Sequence, residues 1–446
     1  MAGEGHIVSF LWPKNAKVLV ALADRGFRSF VTLPELVFPE LTARMVRRGA
    51  LMRDLHEYSE GRIAVLDREA KERMAVVGSQ LADIVEGDGR FDGQCPRGAL
   101  AGAIRATLHE RVRSAIGIVD ALQQCHDREG IAALLLSETY TSGCKAAALW
   151  AGAAGVPRFM LMHGANINQT GAPSVGARAD WIMTYGDRAF GSHFDDGVDR
   201  AKLVATGNPA WDYFHELPPP GQRSLYREGL AAVCGFRPEL PTVLFATTWR
   251  ARVTSLEDQG KVADPARCFL RACKSLEAEG LPFNACIKGR VSNNEAELAE
   301  LRGIVLQEGA PRCAMLPPAS DMAYALLGCD VLVACDSNAS IEATLLGIPT
   351  INIWALGSWL MGPAFDAGDA IEQVRYDQPA ALADRLRSML LDERIRSVAA
   401  KRALDRVGLF NVSGDRTAGD RVADFIARKL IADADEVRAK RARSHS

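Results

Sequence analysis

Short apolar runs recur along the chain, each followed by a polar turn and then by a stretch with helical spacing. The best-defined unit is GCDVLVACDSNASIEATLLGIPTINIW, residues 328–354. Asp330 to Cys335 has the length and composition of a strand buried on both faces, as in a parallel sheet. Asp336, Ser337 and Asn338 follow, residue types that cap helix N-termini. Ala339, Ala343 and Leu346 keep helical spacing, Gly347 stops the helix, and Pro349 opens the next strand. A helix starting at the carboxyl end of a parallel strand turns its unbonded N–H groups and positive dipole end into the crevice where ligands bind. The same pattern also fits an ordinary βαβ unit whose polar turn only caps a helix.

Upstream, His6 to Trp12 reads as a strand, Lys14 to Arg25 as an amphipathic helix, and Phe30 to Leu33 as a second strand. The turn at Pro13 to Asn15 then faces the ligand side of the sheet. Residues 40–128 are mostly helical in pattern, interrupted by GDGRFDGQCPRG at 87–98. From Ile131 the alternation returns: IAALLL, a helix in CKAAALWAGAAG, VPRFMLM, then strands at Trp181 to Gly186 and Lys202 to Gly207. ELPPPGQ, Glu216 to Gln222, reads as a hinge. Beyond it TVLFATTWR, FNACIKGR and RCAML are strands separated by helices at Pro265 to Gly280 and Glu295 to Gly309, and after Asp392 the pattern is helical. The expected class is α/β, with two doubly wound Rossmann-like domains facing a central cleft. Their expected extents are 1–215 for the first domain and 216–395 for the second, with closing helices and a basic tail at 396–446.

A chain of 446 residues is long enough for two such domains. The net charge of −2 makes no electrostatic case for nucleic acid. Ten cysteines stand singly, without a CxxC pair or zinc spacing, which points to a reducing compartment rather than a disulfide framework. The N-terminus lacks the order of a signal peptide, and no apolar run approaches the ~20 residues of a membrane span. A cytoplasmic location is expected.

The chemistry gathers at strand exits. Thr247, Thr248, Arg250 and Arg252 follow one strand of the second half, Lys288 and Arg290 the next, and Ser337, Asn338 and Ser340 a third. In a parallel sheet these exits share one edge, where cations and helix amides would hold a diphosphate. Glu342, one turn into the helix, could reach ribose hydroxyls. Arg252 and Arg290 could equally solvate loop ends. There is no P-loop and no GxGxxG, so neither an NTPase nor a dinucleotide enzyme is indicated. No DxD pair follows an edge strand, so a metal-independent site with no separate cofactor is expected. In the first half, Glu138 and His163 each end an apolar run and are candidate general bases, with Asn166, Asn168 and Gln169 on the acceptor side. A lone His in that position can also serve only as a structural hydrogen bonder.

The run ALLLSETYTSGCKAAALWAGAAGVPRFMLMHG, then ADWIMTYGDRAF and KLVATGNPAWD, resembles the first domain of the UDP-N-acetylglucosamine 2-epimerase superfamily. TVLFATTWR through ACDSNASIEATLLGIPTI resembles its nucleotide-binding domain. NVSGDRTAGDRVADFIARKL, with the HGA at 163–165, resembles CDP-glycerol glycerophosphotransferases and related surface-polysaccharide transferases. All are similar to GT-B fold glycosyltransferases, and the resemblance covers residues 130–430. It implies a diphosphate turn at Ser337, Asn338 and Ser340 and a ribose-binding acid at Glu342. It places Glu138 where epimerases carry a catalytic Asp, and matches His163 to a His common to both groups. It also implies that the closing helix packs back on the first domain.

The departures fall on epimerase chemistry. The acid of HVEAG is Ala165, the next acidic motif has become APSVGARAD, and TTWR lacks the epimerase His. What the resemblance then implies is a bacterial transferase of surface-polysaccharide biosynthesis. It would be a glycosyltransferase or polyol-phosphate transferase with a nucleotide-sugar type donor and a glycan, lipid-linked or protein acceptor. A divergent epimerase and a catalytically silent nucleotide-sugar-binding protein of a glycan assembly complex are the alternatives.

The basic end, Arg438, Lys440, Arg441 and Arg443, suits peripheral contact with the inner face of a membrane, or a merely solvated tail. Anionic lipid contact would contribute about 1 kcal/mol per charge. Truncation after Val437 is therefore expected to weaken sedimentation with anionic liposomes. Unchanged binding assigns the end to solvent.

Overall fold

The computed structural model describes residues 5–33, 38–87, 97–139, 141–162, 178–186, 198–217, 223–247, 265–289, 295–309, 313–335, 337–354, 371–412 and 416–444. The first half runs β1 (His6–Phe10), α1 (Lys17–Asp24), β2 (Ser29–Thr32), α2 (Pro39–Val46), β3 (Leu51–Asp54), α3 (Ile63–Gly87), α4 (Arg97–Glu129), β4 (Ile131–Leu136), α5 (Ser142–Ala154), β5 (Arg158–Leu161), β6 (Trp181–Thr184) and β7 (Leu203–Ala205). These strands form one sheet in the order β3-β2-β1-β4-β5-β6-β7, every pair parallel. The second half runs α6 (Ser224–Cys234), β8 (Thr242–Ala246), α7 (Pro265–Ala278), β9 (Asn284–Lys288), α8 (Glu295–Glu308), β10 (Cys313–Leu316), α9 (Met322–Gly328), β11 (Val331–Ala334), α10 (Asn338–Leu345), β12 (Thr350–Trp354), β13 (Glu372–Arg375) and α11 (Pro379–Leu391). Its strands make a separate parallel sheet, β10-β9-β8-β11-β12-β13.

The central strands are buried at every position: β1, β8, β9 and β11 show no exposed residue. Helices cover both faces of such strands, which is why they read as continuous apolar runs. The strand order places a reversal in each sheet. From β1 the chain steps out to β2 and β3, then returns through the paired helices α3 and α4 to set β4 on the other side of β1. In the second sheet the reversal lies between β8 and β11. Loops leaving the carboxyl ends of the two strands at such a reversal diverge to opposite faces and open a crevice, where ligands bind in folds of this kind.

Two edge strands depart from the sequence reading. β3 (LMRD) lies inside the segment read as mostly helical, and β13 (EQVR) had no distinct pattern. Each is paired on one side only and is partly exposed, so neither carries the apolar signature of a central strand. Residues 218–222 of the expected hinge lie outside the described residues. The 3-10 turn Pro209–Glu216 ends the first half, and α6 already packs on α9 of the second.

After α11, α12 (Glu393–Asp405) and α13 (Val407–Phe410) lead back toward the first sheet, and α14 (Ala418–Ser444) packs on α1. Val422, Ala423, Ile426, Ala427 and Leu430 recur at helical spacing and join the core formed by Val18, Leu19 and Leu22. Arg25 fixes the pairing through Asp424 at 2.5 Å and the Asp420 carbonyl at 3.0 Å. Arg421 donates to the Thr206 carbonyl at 2.7 Å. Gly186 lets α13 approach, since a Cβ there would lie 2.8 Å from the Leu409 carbonyl oxygen. The return of the closing helix to the first domain is thus observed. Among the described residues, no helix is long and apolar enough to cross a membrane.

Asp212 caps α14 across this junction: one carboxylate oxygen accepts from Ala418 N at 2.7 Å, the other from Gly419 N at 2.8 Å. Asp212→Ala should cost about 1–2 kcal/mol, the range of a lost N-cap. Chemical denaturation should show a lower midpoint with an unchanged slope. An unaltered midpoint would assign the anchoring of α14 to its apolar packing and to the Arg25 and Arg421 contacts.

Candidate nucleotide cleft

The turn after β11 has the geometry its sequence suggests. Ser337 is extended (φ −120°, ψ 143°) and its hydroxyl accepts from Ala339 N at 3.3 Å as the cap of α10, which starts at Asn338. Ser340 N donates to the Ser337 carbonyl at 2.9 Å. The Ser340 side chain is fully buried, and its hydroxyl has no hydrogen-bond partner. The hydroxyl of Thr247, just past β8, is also buried without a partner. These two residues flank the β8/β11 reversal.

Lys288, the last residue of β9, is buried, and its Nζ donates to the carbonyls of Gly289 at 3.3 Å and Pro318 at 3.1 Å. Burial lowers its pKa, while Asp321 and Glu342 act in the opposite sense. Asp321 in turn caps α9, accepting from Ala323 N at 2.7 Å. A cation held by carbonyls beside an exit edge is suited to meet an anion there.

Glu342 joins this edge to the first domain. Its Oε1 accepts from the indole Nε1 of Trp211, on the 3-10 turn Pro209–Glu216, at 3.3 Å. Trp211 packs against Tyr185 at 4.9 Å between ring centroids, and the Tyr185 hydroxyl donates to the Met162 carbonyl at 2.8 Å. Tyr185, Trp211, Phe214 and Phe410 share one apolar cluster with Ala339, Ile341 and Leu346 of the second domain. Burial in this seam pushes the Glu342 carboxyl up to about 7, against the Trp211 hydrogen bond and the charges of Lys14 and Lys288; Asp321 adds to the rise. Burial likewise holds the Tyr185 hydroxyl well above its ordinary range, with Glu342 adding to it.

On the first domain, the exits of β1 and β4 meet at the other reversal. Trp12 N donates to Ser137 Oγ at 2.7 Å. The 3-10 turn Pro13–Asn15 follows, and the fully buried Asn15 side chain finds a partner for neither its amide oxygen nor its amide nitrogen. Glu138 is buried and holds the start of α5: one oxygen accepts from Thr141 N at 2.9 Å and the other from the Thr141 hydroxyl.

Of the residues singled out in the sequence, Lys288 ends β9 and Ser337, Asn338, Ser340 and Glu342 follow β11, on either side of the β8 exit that carries Thr247, and Glu138 lies on an exit of the first sheet. His163, Asn166, Asn168, Gln169, Thr248, Arg250 and Arg290 lie outside the described residues. The sequence put the turn at Pro13 to Asn15 on the ligand side without naming a site residue in it; Lys14, Asn15 and Trp211 are added by the structure. The PKN turn and the aromatic NPAWD segment were the available signals, but burial and proximity to Glu342 follow from domain packing.

The raised Glu342 carboxyl fixes a sign. The folded chain holds this proton to a higher pH than an unfolded chain, whose glutamate titrates near about 4.3. Stability from this group is therefore complete below that value and is lost as pH rises through about 7. Without ligand, Glu342→Gln is expected to match the parent near the acid end and exceed it at pH ~8 by roughly 1–3 kcal/mol. Denaturant titrations of both proteins at the two pH values check this, and parallel pH profiles would remove the buried-carboxyl assignment.

No family model and no curated protein matches the chain. Solved structures do. MnaA of S. aureus, in a co-structure with UDP, superposes with a TM-score of 0.58 at 13% identity, over 96% of this chain and 97% of that one. A UDP-GlcNAc 2-epimerase from Neisseria meningitidis bound to UDP-GlcNAc gives 0.55 at 11% identity, over 96% and 100%. A glycosyltransferase from Rickettsia africae gives 0.54 at 10%, over 96% and 99%. At such identities the likeness is one of architecture: the chain has the GT-B fold, with two Rossmann-like domains and a closing helix returned to the first.

Proposed function

We propose that the protein is a metal-independent transferase, a glycosyltransferase or polyol-phosphate transferase, that takes a nucleotide-activated donor on the second domain and an acceptor on the first. One observation carries this reading. Among the described residues, the neutral buried polar groups without partners all lie at the two sheet reversals, Thr247 and Ser340 on one side and Asn15 on the other, while the remaining unpartnered atoms belong to charged side chains elsewhere. A buried unsatisfied polar group costs about 1–3 kcal/mol, and a ligand rich in oxygen and nitrogen would offset that cost. Glu342 supports the reading as a carboxyl kept half-buried in the seam rather than paired with a cation.

In this reading Ser337, Asn338 and Ser340 receive the diphosphate at the N-terminus of α10, with Thr248, Arg250, Lys288 and Arg290 around it. They stabilise the charge that grows on the leaving nucleotide. Glu342 accepts from the ribose hydroxyls. Both Glu138 oxygens are engaged by Thr141, so removal of the acceptor proton falls to His163, with Asn166, Asn168 and Gln169 beside the acceptor. Closure of the domains would exclude water from the transfer. The acceptor would be a growing surface glycan, lipid-linked or protein-borne, met at the inner face of the membrane through the basic end of α14. The neighbours crystallised with UDP and UDP-GlcNAc make uridine donors the first to try.

A panel of UDP-, CDP-, GDP- and CMP-linked compounds identifies the donor by thermal stabilisation, about 2.7 kcal/mol at 100 times Kd. Glu342→Ala should then weaken that nucleotide about ten- to hundredfold, the equivalent of one or two charge-assisted hydrogen bonds. Ribose hydroxyls favour the carboxylate form, so affinity should rise with pH toward 7 and calorimetry should register proton release below it. Unchanged affinity in Glu342→Ala for every nucleotide that binds the parent sinks the assignment. Free nucleotide released only with acceptor present supports transfer, whereas sugar interconversion without acceptor supports an epimerase.

A further inference from the structure

We infer that Cys234 and Cys286 form an oxidisable thiol pair that closes to a disulfide, with Cys234 as the thiol that meets the oxidant; the inference needs neither the donor nor the transfer reading. Cys234 is the last residue of α6, and Cys286 is the middle residue of β9. Cys286 is fully buried, whereas Cys234 is half-buried between the exposed Val233 and Gly235. Among the described cysteines only Cys144 is also short of full burial. Its surroundings, mainly desolvation and then the charge of Glu138, push the Cys144 thiol up to about 12, so it stays protonated and unreactive.

Hydrogen bonds seat the chain just after α6 against the start of β9. Asn284 N donates to the Pro241 carbonyl at 2.8 Å, and its side-chain Nδ2 donates to the carbonyls of Arg237 at 2.8 Å and Leu240 at 3.3 Å. Alternate positions of a strand share a face, so Cys286 points to the same side as Asn284. Cys286 and Leu230 of α6 belong to one core cluster, against which Cys234 packs. The two thiols are hydrogen-bonded to each other, and the Val243 carbonyl, 3.8 Å from the Cys286 sulfur, is another acceptor for the Cys286 proton. Donation from Cys286 stabilises a thiolate on Cys234 and lowers its pKa, while the same bond, with burial, holds Cys286 well above its ordinary range. A partly exposed thiol of lowered pKa with a second thiol in contact is the arrangement of a redox-sensitive pair. Oxidised glutathione supplies the chemistry: the Cys234 thiolate attacks one of its sulfurs and expels one glutathione thiolate. Cys286 then attacks the Cys234 sulfur, expels the second glutathione thiolate and loses its proton to it. Two electrons pass from the pair to glutathione, and one disulfide replaces another. Lys288 follows Cys286 by two residues on the same face, so the bond would form directly behind the cationic end of β9.

The test treats the reduced, folded whole protein with oxidised glutathione, then caps remaining thiols with N-ethylmaleimide and maps the linkages by mass spectrometry of the digest. The parent should lose one pair of thiols, yield a peptide joining Cys234 to Cys286, and recover both thiols with dithiothreitol. Cys286→Ser should stop at a glutathione held on Cys234, because no second thiol displaces it. Cys234→Ser should leave Cys286 unmodified in its buried strand. Cys286→Ala stands in for Cys286→Ser if the hydroxyl lowers the melting temperature, since an apolar side chain suits that core position. An unchanged thiol count in the parent, a linkage through Cys273, Cys313 or Cys329, or glutathione retained on Cys234 of the parent overturns the inference. A parent linkage accompanied by glutathione on Cys286 in Cys234→Ser rejects Cys234 as the thiol that meets the oxidant.

Discussion

The direction of the strands constrains everything else in this molecule. Both sheets are wholly parallel, so every strand within a sheet exits at the same edge. Central strands buried on both faces hold few polar side chains, and those within them have local partners, as Ser9 of β1 with Leu11 N and Asn352 of β12 with Gln373. Polar residues free to meet a ligand therefore gather at the exits, where helix N-termini also begin. Thr247, Lys288 and the Ser337 turn converge for this reason, although they come from three separate stretches of sequence.

The seam between the domains carries an energetic tension. Its apolar part, built from Tyr185, Trp211 and Phe410 against Ala339 and Leu346, is ordinary core. Set within it, Glu342 has one hydrogen bond of 3.3 Å, and burial raises its carboxyl to about 7. Asn15 and Ser340 are buried with unmet hydrogen-bonding capacity. Groups of this kind lower the stability of the unliganded fold, and proteins retain them mostly where they serve binding or chemistry. Glu138 shows the contrast: a more deeply buried carboxylate at a strand exit, with both oxygens engaged by Thr141.

The closing helix couples the halves. α14 is held on α1 by its apolar stripe, by Arg25 and by the Asp212 cap, and Asp212 stands next to Trp211 in sequence. The segment that reaches Glu342 is thus the segment that seats the last helix. Any shift of one domain against the other must move or break this junction, so such a shift is tied to the packing of α14.

The sequence by itself determined the strands that are central, the long helices between them and the turn that caps α10. Each of these is local: a strand buried on both faces shows as an unbroken apolar run, and a cap shows as Ser or Asp before a helical period. Ser337, Asn338, Ser340 and Glu342 could be singled out because their spacing within one βαβ unit sets their geometry. Only the tertiary structure decided which polar groups lack partners, since burial of Asn15 and proximity of Trp211 to Glu342 depend on how distant segments pack. It also decided the edge strands β3 and β13, whose one-sided pairing leaves no apolar periodicity to read. Local chemistry is written along the chain, whereas the partner of a side chain such as Glu342 is set by packing between segments 131 residues apart.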